Sequence, residues 1–90
     1  MNPKSPNDRR KSLLVTLTYA DHGAATVREM RREMELVHNL AVSADLVRGD
    51  FAWLAEQGLV RYRPQHDSAQ VTERGQDVAR GAAVWPGGPD

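Results

Sequence analysis

Ninety residues, 40% hydrophobic and 27% charged, suffice for one small domain and exclude two; with no cysteine they also exclude disulfides, thiolate metal sites and a cysteine nucleophile. Twelve basic and twelve acidic side chains cancel, so the whole-molecule field offers a nucleic acid no net attraction. No run approaches the roughly 18 apolar residues of a membrane span, and the opening MNPKSPNDRRK lacks the apolar core of a signal peptide, so no membrane partner and a cytoplasmic location are expected.

Charge is segregated along the chain all the same. Residues 1–32 carry seven basic and three acidic side chains, residues 33–60 one and five, and residues 61–90 four and four. A nucleic acid would have to meet a local basic patch.

Residues 1–7, with Pro3 and Pro6, read as a flexible tail, and a domain is expected over residues 8–84. The first helix runs from about Asp8, a plausible cap, to Ala20, with Leu13, Leu14, Leu17 and Ala20 on one face. Val15 and Tyr19 fall on another face, either packed under a further element or forming a dimer contact. Asp21, His22 and Gly23 end this helix. Thr26 with Glu29 three residues on has the spacing of a capping box, opening a second helix to about His38. Val27, Met30, Met34 and Val37 line its apolar face, beside an arc of Arg28, Arg31, Arg32 and Glu35. Asn39 suits a left-handed stop, and the short turn to Ser43 makes a helix-turn-helix candidate.

Ser43 caps the third helix, and Leu46, Val47, Asp50, Phe51, Trp53 and Leu54 fall on its buried arc. Gly58 stops it. Leu59 to Arg63 and Ala69 to Thr72 then read as two strands of a hairpin around the polar loop Pro64 to Ser68. Thr72 caps a last helix, Glu73 to about Ala83, weakened by Gly75 and Gly81 and burying Val78, Ala79 and Ala82. Trp85 is placed to cover its end, and residues 85–90 read as a second flexible tail.

The order helix, helix, helix, strand, strand, helix, mainly α with a small β-hairpin (α+β), resembles the winged helix-turn-helix superfamily. More closely, RGDFAWLAEQGLV and VTERGQDVARG resemble a family of small winged-helix proteins of Mu-like phages and prophages, often labelled transcriptional regulators of the arsenic-repressor type. The resemblance covers roughly residues 9–81. It rests on Asp50, Trp53, Leu54, Glu56, Gln57, Gly58 and Leu59, then Thr72, Glu73, Arg74, Gly75, Val78, Ala79 and Gly81. The family's tail tends to read VPGV, a basic residue and Pro; here it is VWPGGPD, without the basic residue. The resemblance implies a winged-helix fold and a small regulator of transcription with double-stranded DNA as partner. A homodimer is expected with it, because two protomers double a phosphate footprint too small for tight binding by one.

In helix-turn-helix readers the second helix of the unit enters the major groove, so its outer face is diagnostic. Here that face is Ala44, Asp45, Arg48, Gly49, Ala52, Ala55 and Glu56, and Arg48 alone suits bidentate contact with guanine. Its two carboxylates would repel phosphates. Candidate phosphate contacts surround it: Arg28, Arg31 and Arg32 on the second helix, Arg61 and Arg63 on the wing, and Arg9, Arg10 and Lys11 near the start. The plainer alternatives are that Arg28, Arg31 and Arg32 pair with Glu29 and Glu35 along a solvated helix, and that the wing arginines only discourage edge pairing.

Asp50 stands inside an apolar arc, where a carboxylate needs a cation or backbone amides as partners; the alternative is a functional acid, for which no second catalytic residue is in view. Trp53 is expected in the core, its indole nitrogen bonded to an acceptor. His22, His38 and His66 lie in three separate segments without paired ligand spacing, and there is no Gly-rich phosphate loop or nucleophile elbow. Neither catalysis nor a metal or cofactor is expected. The acidic, alanine-rich third helix and the Val15 and Tyr19 face keep a second function open, a module that binds a phage or host protein and no nucleic acid.

Overall fold

Ser5 sets the start of the first helix: its hydroxyl accepts from the Asp8 amide (3.1 Å), and Pro6 enters at the first helical position, where its missing N–H costs nothing. The computed structural model describes residues 5–88, so the expected tail residues 1–4 and 89–90 lie outside the described residues. Helix α1 spans Pro6–Thr18, two residues earlier than expected, because Ser5 and not Asp8 is the cap. Asp8 sits in the first turn, where the positive end of the helix dipole favours it.

After a 3-10 turn at Asp21–Gly23 comes strand β1, Ala24–Thr26, and then helix α2, Val27–His38. The capping box forms as the spacing predicts: the Glu29 amide donates to the Thr26 hydroxyl (3.0 Å), and the Thr26 amide donates to the Glu29 carboxylate (2.9 Å). Asn39 ends α2 in the left-handed region (φ 52°), and the Leu40 amide reaches back to the Met34 carbonyl (3.1 Å). Helix α3, Ala44–Glu56, starts with the Leu46 amide on the Ser43 hydroxyl (3.1 Å) and stops at Gln57 and Gly58 (φ +75°).

Strands β2, Val60–Arg63, and β3, Ser68–Val71, pair antiparallel as a hairpin, and β1 joins the far side of β3, giving the order β1-β3-β2. The register sets Thr26 opposite Ser68 and Ser68 opposite Arg63, so three strands meet in one row at that end of the sheet. One face of the sheet carries Ala25, Val60, Tyr62, Ala69 and Val71 into the core. The other carries Arg61, Arg63 and Gln70 into solvent.

The core is built where the helical stripes meet that inner face. Leu13, Leu14 and Leu17 of α1, Met30 and Met34 of α2, and Phe51 and Leu54 of α3 are essentially without exposure. Helix α4, Glu73–Ala79, closes one side through Val78. Its first turn lies so close to the α3–β2 joint that a Cβ on Gly75 would come within 2.0 Å of the Leu59 carbonyl oxygen. Gly75 is therefore a contact residue as well as a weak helix former.

Several expectations are corrected. The element order is helix, strand, helix, helix, strand, strand, helix, because β1, three small residues without alternation, carries no local strand signal and exists only by pairing to β3. The fold is α+β with four helices and a three-stranded antiparallel sheet among the described residues. Helix α4 stops at Ala79 instead of Ala83: Gly81 turns left-handed and the Ala82 amide folds back onto the Asp77 carbonyl (2.8 Å), leaving Ala82 exposed. Val37 and Leu46, placed on buried arcs by periodicity, are exposed, and Ala20 is only half-buried.

Candidate nucleic-acid interface

The basic N-terminal residues are spent inside the fold. Asp50 is 2% exposed on α3 and takes the Arg9 guanidinium side-on, Nε to Oδ2 at 2.6 Å and Nη2 to Oδ1 at 2.9 Å, with Arg10 Nε adding a third bond to Oδ1 at 3.2 Å. The bond to Asp50 raises the Arg9 pKa above its ordinary value against the opposing pull of desolvation. Arg10 also lies over the Trp53 ring (4.6 Å), Trp53 packs on Trp85 (5.4 Å), and Lys11 approaches the Trp85 ring at 5.6 Å. Trp85 thus packs on Trp53 of α3 and borders a cavity shared with Val78 and Ala79 at the end of α4, and its indole N–H points to Asn7 Oδ1 (3.4 Å). The expected acceptor for the Trp53 indole is not among the hydrogen bonds of the described residues. Arg9, Arg10 and Lys11 are accordingly withdrawn from the candidate phosphate contacts, and Asp50 is the buried, cation-paired acceptor that its position demanded.

Arg48, the one guanine-reading candidate, is likewise engaged. Its Nε and Nη2 donate to the two oxygens of Asp67 (2.9 and 2.8 Å), and Nη1 donates to Asp45 Oδ1 (3.0 Å). These bonds raise the pKa of Arg48, and the bond from Arg48 holds the Asp67 carboxyl below the usual carboxylate range. Asp67 occupies the hairpin turn in the left-handed region (φ 50°), a conformation that Asp tolerates better than most residues. Its carbonyl accepts from the Val27 amide (2.8 Å), stitching the hairpin to the start of α2. The outer face of α3 therefore presents a neutralised arginine beside the carboxylates of Asp45, Asp67 and Glu56.

The remaining candidate arginines behave differently. Arg31 is exposed but donates its Nε to the Val42 carbonyl (2.9 Å), bracing the α2–α3 turn. Arg28, Arg32, Arg61 and Arg63 are exposed and form no ion pair among the described residues, so the alternative pairing of α2 arginines with Glu29 and Glu35 is absent there. The Thr26–Ser68–Arg63 row spans about 10 Å across three strands, and Arg28 follows Thr26 by two residues, so Arg28 and Arg63 share one end of the sheet. Arg61 lies one pleat further along β2 and Arg32 one turn further along α2. Arg61 and Arg63 flank a shallow cleft of about 130 Å³ lined also by Ala24, Ser68 and Gln70.

Sequence reasoning missed Asp67, the residue that decides the state of Arg48. The available signal was an Asp in a tight turn after Pro64, where a carboxylate lies near whatever cation the neighbouring helix offers. His22 and His66 lie exposed in separate turns, and His38 is half-buried at the end of α2. Among the described residues no three His, Asp or Glu side chains are grouped to hold a metal ion, and no helix is long and apolar enough to cross a membrane. No family model, curated protein or solved structure matches this chain.

Proposed function

We propose that this chain is a winged-helix protein that holds duplex DNA through its phosphates, a small transcriptional regulator of the phage and prophage kind acting as a homodimer. The observation that carries the proposal is that Arg28 and Arg32 on α2 and Arg61 and Arg63 on β2 are exposed and form no ion pair among the described residues, a state shared with Arg74 and Arg80 around α4, and that Arg28 and Arg63 share one end of the sheet. The element order supports it: in α1-β1-α2-α3-β2-β3-α4 the hairpin is a wing beside the second and third helices. Phosphate contacts position a protein without reading sequence, so broad sequence tolerance goes with this arrangement, and any base reading by Arg48 requires it to leave Asp67 first.

The test is titration with duplex DNA across a salt series, comparing the wild type with the Arg28→Glu, Arg63→Glu double variant. Each phosphate that a variant no longer neutralises reduces the slope of log K against log salt by about 0.9, so the double variant, which removes two contacts from each protomer, should bind more weakly with a slope shallower by about 3.6 for the homodimer. No binding by the wild type at low salt, or equal slopes for the two proteins, would overturn the proposal.

The alternative is a protein-binding module without a nucleic-acid role. It is favoured by one observation, the capture of Arg48 by Asp45 and Asp67, which leaves the outer face of α3 acidic. Recovery of a protein partner from nuclease-treated, phage-infected cells, abolished by Glu56→Lys, would select it.

A further inference from the structure

Between α1 and α2 lies an open groove of about 500 Å³ that the fold leaves uncovered. Val15 of α1 and Tyr19, which caps its end, form one wall; Glu29, Glu33 and Val37, spaced by four along α2, form the other. Tyr19 is 73% exposed and Val37 63%, although both are large apolar side chains. Between the helices, Thr16 Oγ1 and His38 Nε2 are 2.8 Å apart, within hydrogen-bond distance, and Thr16 Oγ1 also lies 2.7 Å from the Ser12 carbonyl. This contact and the core packing of Leu13, Leu17, Met30 and Met34 hold the two walls together before anything binds.

The charge at the groove is one-sided. Asp21, Glu29 and Glu33 line it, and no Lys or Arg does. A second copy docking through the same patch would set these carboxylates against themselves, since a two-fold contact is self-complementary. A partner with apolar anchors and basic flanks gains on both counts. Two helical walls with side chains at i and i+4 suit a third helix laid along them.

We infer that the α1–α2 groove is a docking site for a basic amphipathic helix of another protein, seated on Val15, Tyr19 and Val37 with its Lys or Arg side chains facing Asp21, Glu29 and Glu33. Arg28 and Arg32 neighbour Glu29 and Glu33 along α2 but do not line the groove, so peptide binding there is tested separately from DNA binding.

The experiment uses two synthetic peptides of about 16 residues with the same leucine spacing, one with Lys and one with Glu at the flanking positions, titrated into the 15N-labelled full chain. The expected result is saturable binding of the Lys peptide, with amide shifts confined to residues of α1, α2 and the Asp21 turn, and no binding of the Glu peptide. Asp21→Lys with Glu33→Lys should weaken the Lys peptide by at least about tenfold and admit the Glu peptide. Tyr19→Ala should weaken the Lys peptide without altering the fold's circular dichroism; Glu29 is left unchanged because it closes the capping box of α2. Equal binding of both peptides, shifts centred on the acidic face of α3, indifference to these variants, or self-association abolished by Tyr19→Ala would each overturn the inference.

Discussion

Replacing Asp50 by Asn probes the junction that ties α1 to α3. The carboxylate is 2% exposed and receives three N–H donors on two oxygens, two from Arg9 and one from Arg10. Asn keeps the shape but removes the charge, and its amide nitrogen must face a guanidinium N–H in place of an acceptor. Removing one partner of a buried ion pair costs about 3–5 kcal/mol, chiefly because the other charge is left without compensation. Arg9 and Arg10 retain 12% and 23% exposure, so water reaches them in part and the lower end, about 3 kcal/mol, is expected. In a domain of this size that corresponds to a fall in Tm of about 12–24 °C. Urea unfolding followed by circular dichroism and by the fluorescence of Trp53 and Trp85 measures it. Arg9→Met, alone and combined with Asp50→Asn, completes a cycle in which the double variant should lose about 1–3 kcal/mol less than the sum of the single losses. A cost for Asp50→Asn below about 1 kcal/mol, or strict additivity, would refute the reasoning.

Two glycines should respond in opposite directions when changed to alanine. Gly75→Ala drives a Cβ into the Leu59 carbonyl and should destabilise by about 1–3 kcal/mol, whereas Gly49→Ala, with nothing within 4 Å of the new Cβ on α3, should stabilise by about 0.5–1 kcal/mol; chemical denaturation reads both. Asp67 should titrate below the ordinary value of about 3.9 in a carboxyl NMR experiment, and Arg48→Gln should return it to that value. Because its folded pKa is depressed, the stabilisation from the Arg48 pair is present above the unfolded pKa and is lost as pH falls through the folded one, so wild type should lose more stability than Arg48→Gln on acidification across that window.

Local chemistry made much of the fold legible. The Thr26 and Glu29 box, the Ser43 and Thr72 caps, and the left-handed Asn39 and Gly58 all stand as the spacing predicts, because each depends on groups within a few residues. Apolar periodicity located the cores of α1, α2 and α3 but overran at Val37 and Leu46, since a period marks the side of a helix and not how far its neighbours extend over it. Strand β1 was invisible because pairing to β3, 42 or more residues away, is what makes three small residues a strand. At the candidate site, the presence of surplus arginines was legible and their availability was not.

By itself, then, the sequence determined the starts of α2, α3 and α4 through their caps, the stops at Asn39 and Gly58, and that a buried Asp50 needs a cation. Tertiary structure alone decided which arginines are available. Arg9 meets Asp50 across 41 residues of chain and Arg48 meets Asp67 across 19, while Arg28, Arg32, Arg61 and Arg63 meet no carboxylate among the described residues. The physical reason is one of range. Caps and helical stripes are settled by hydrogen bonds and burial within a turn or two, whereas the pairing of a long cationic side chain depends on which carboxylate the completed fold brings within about 3 Å.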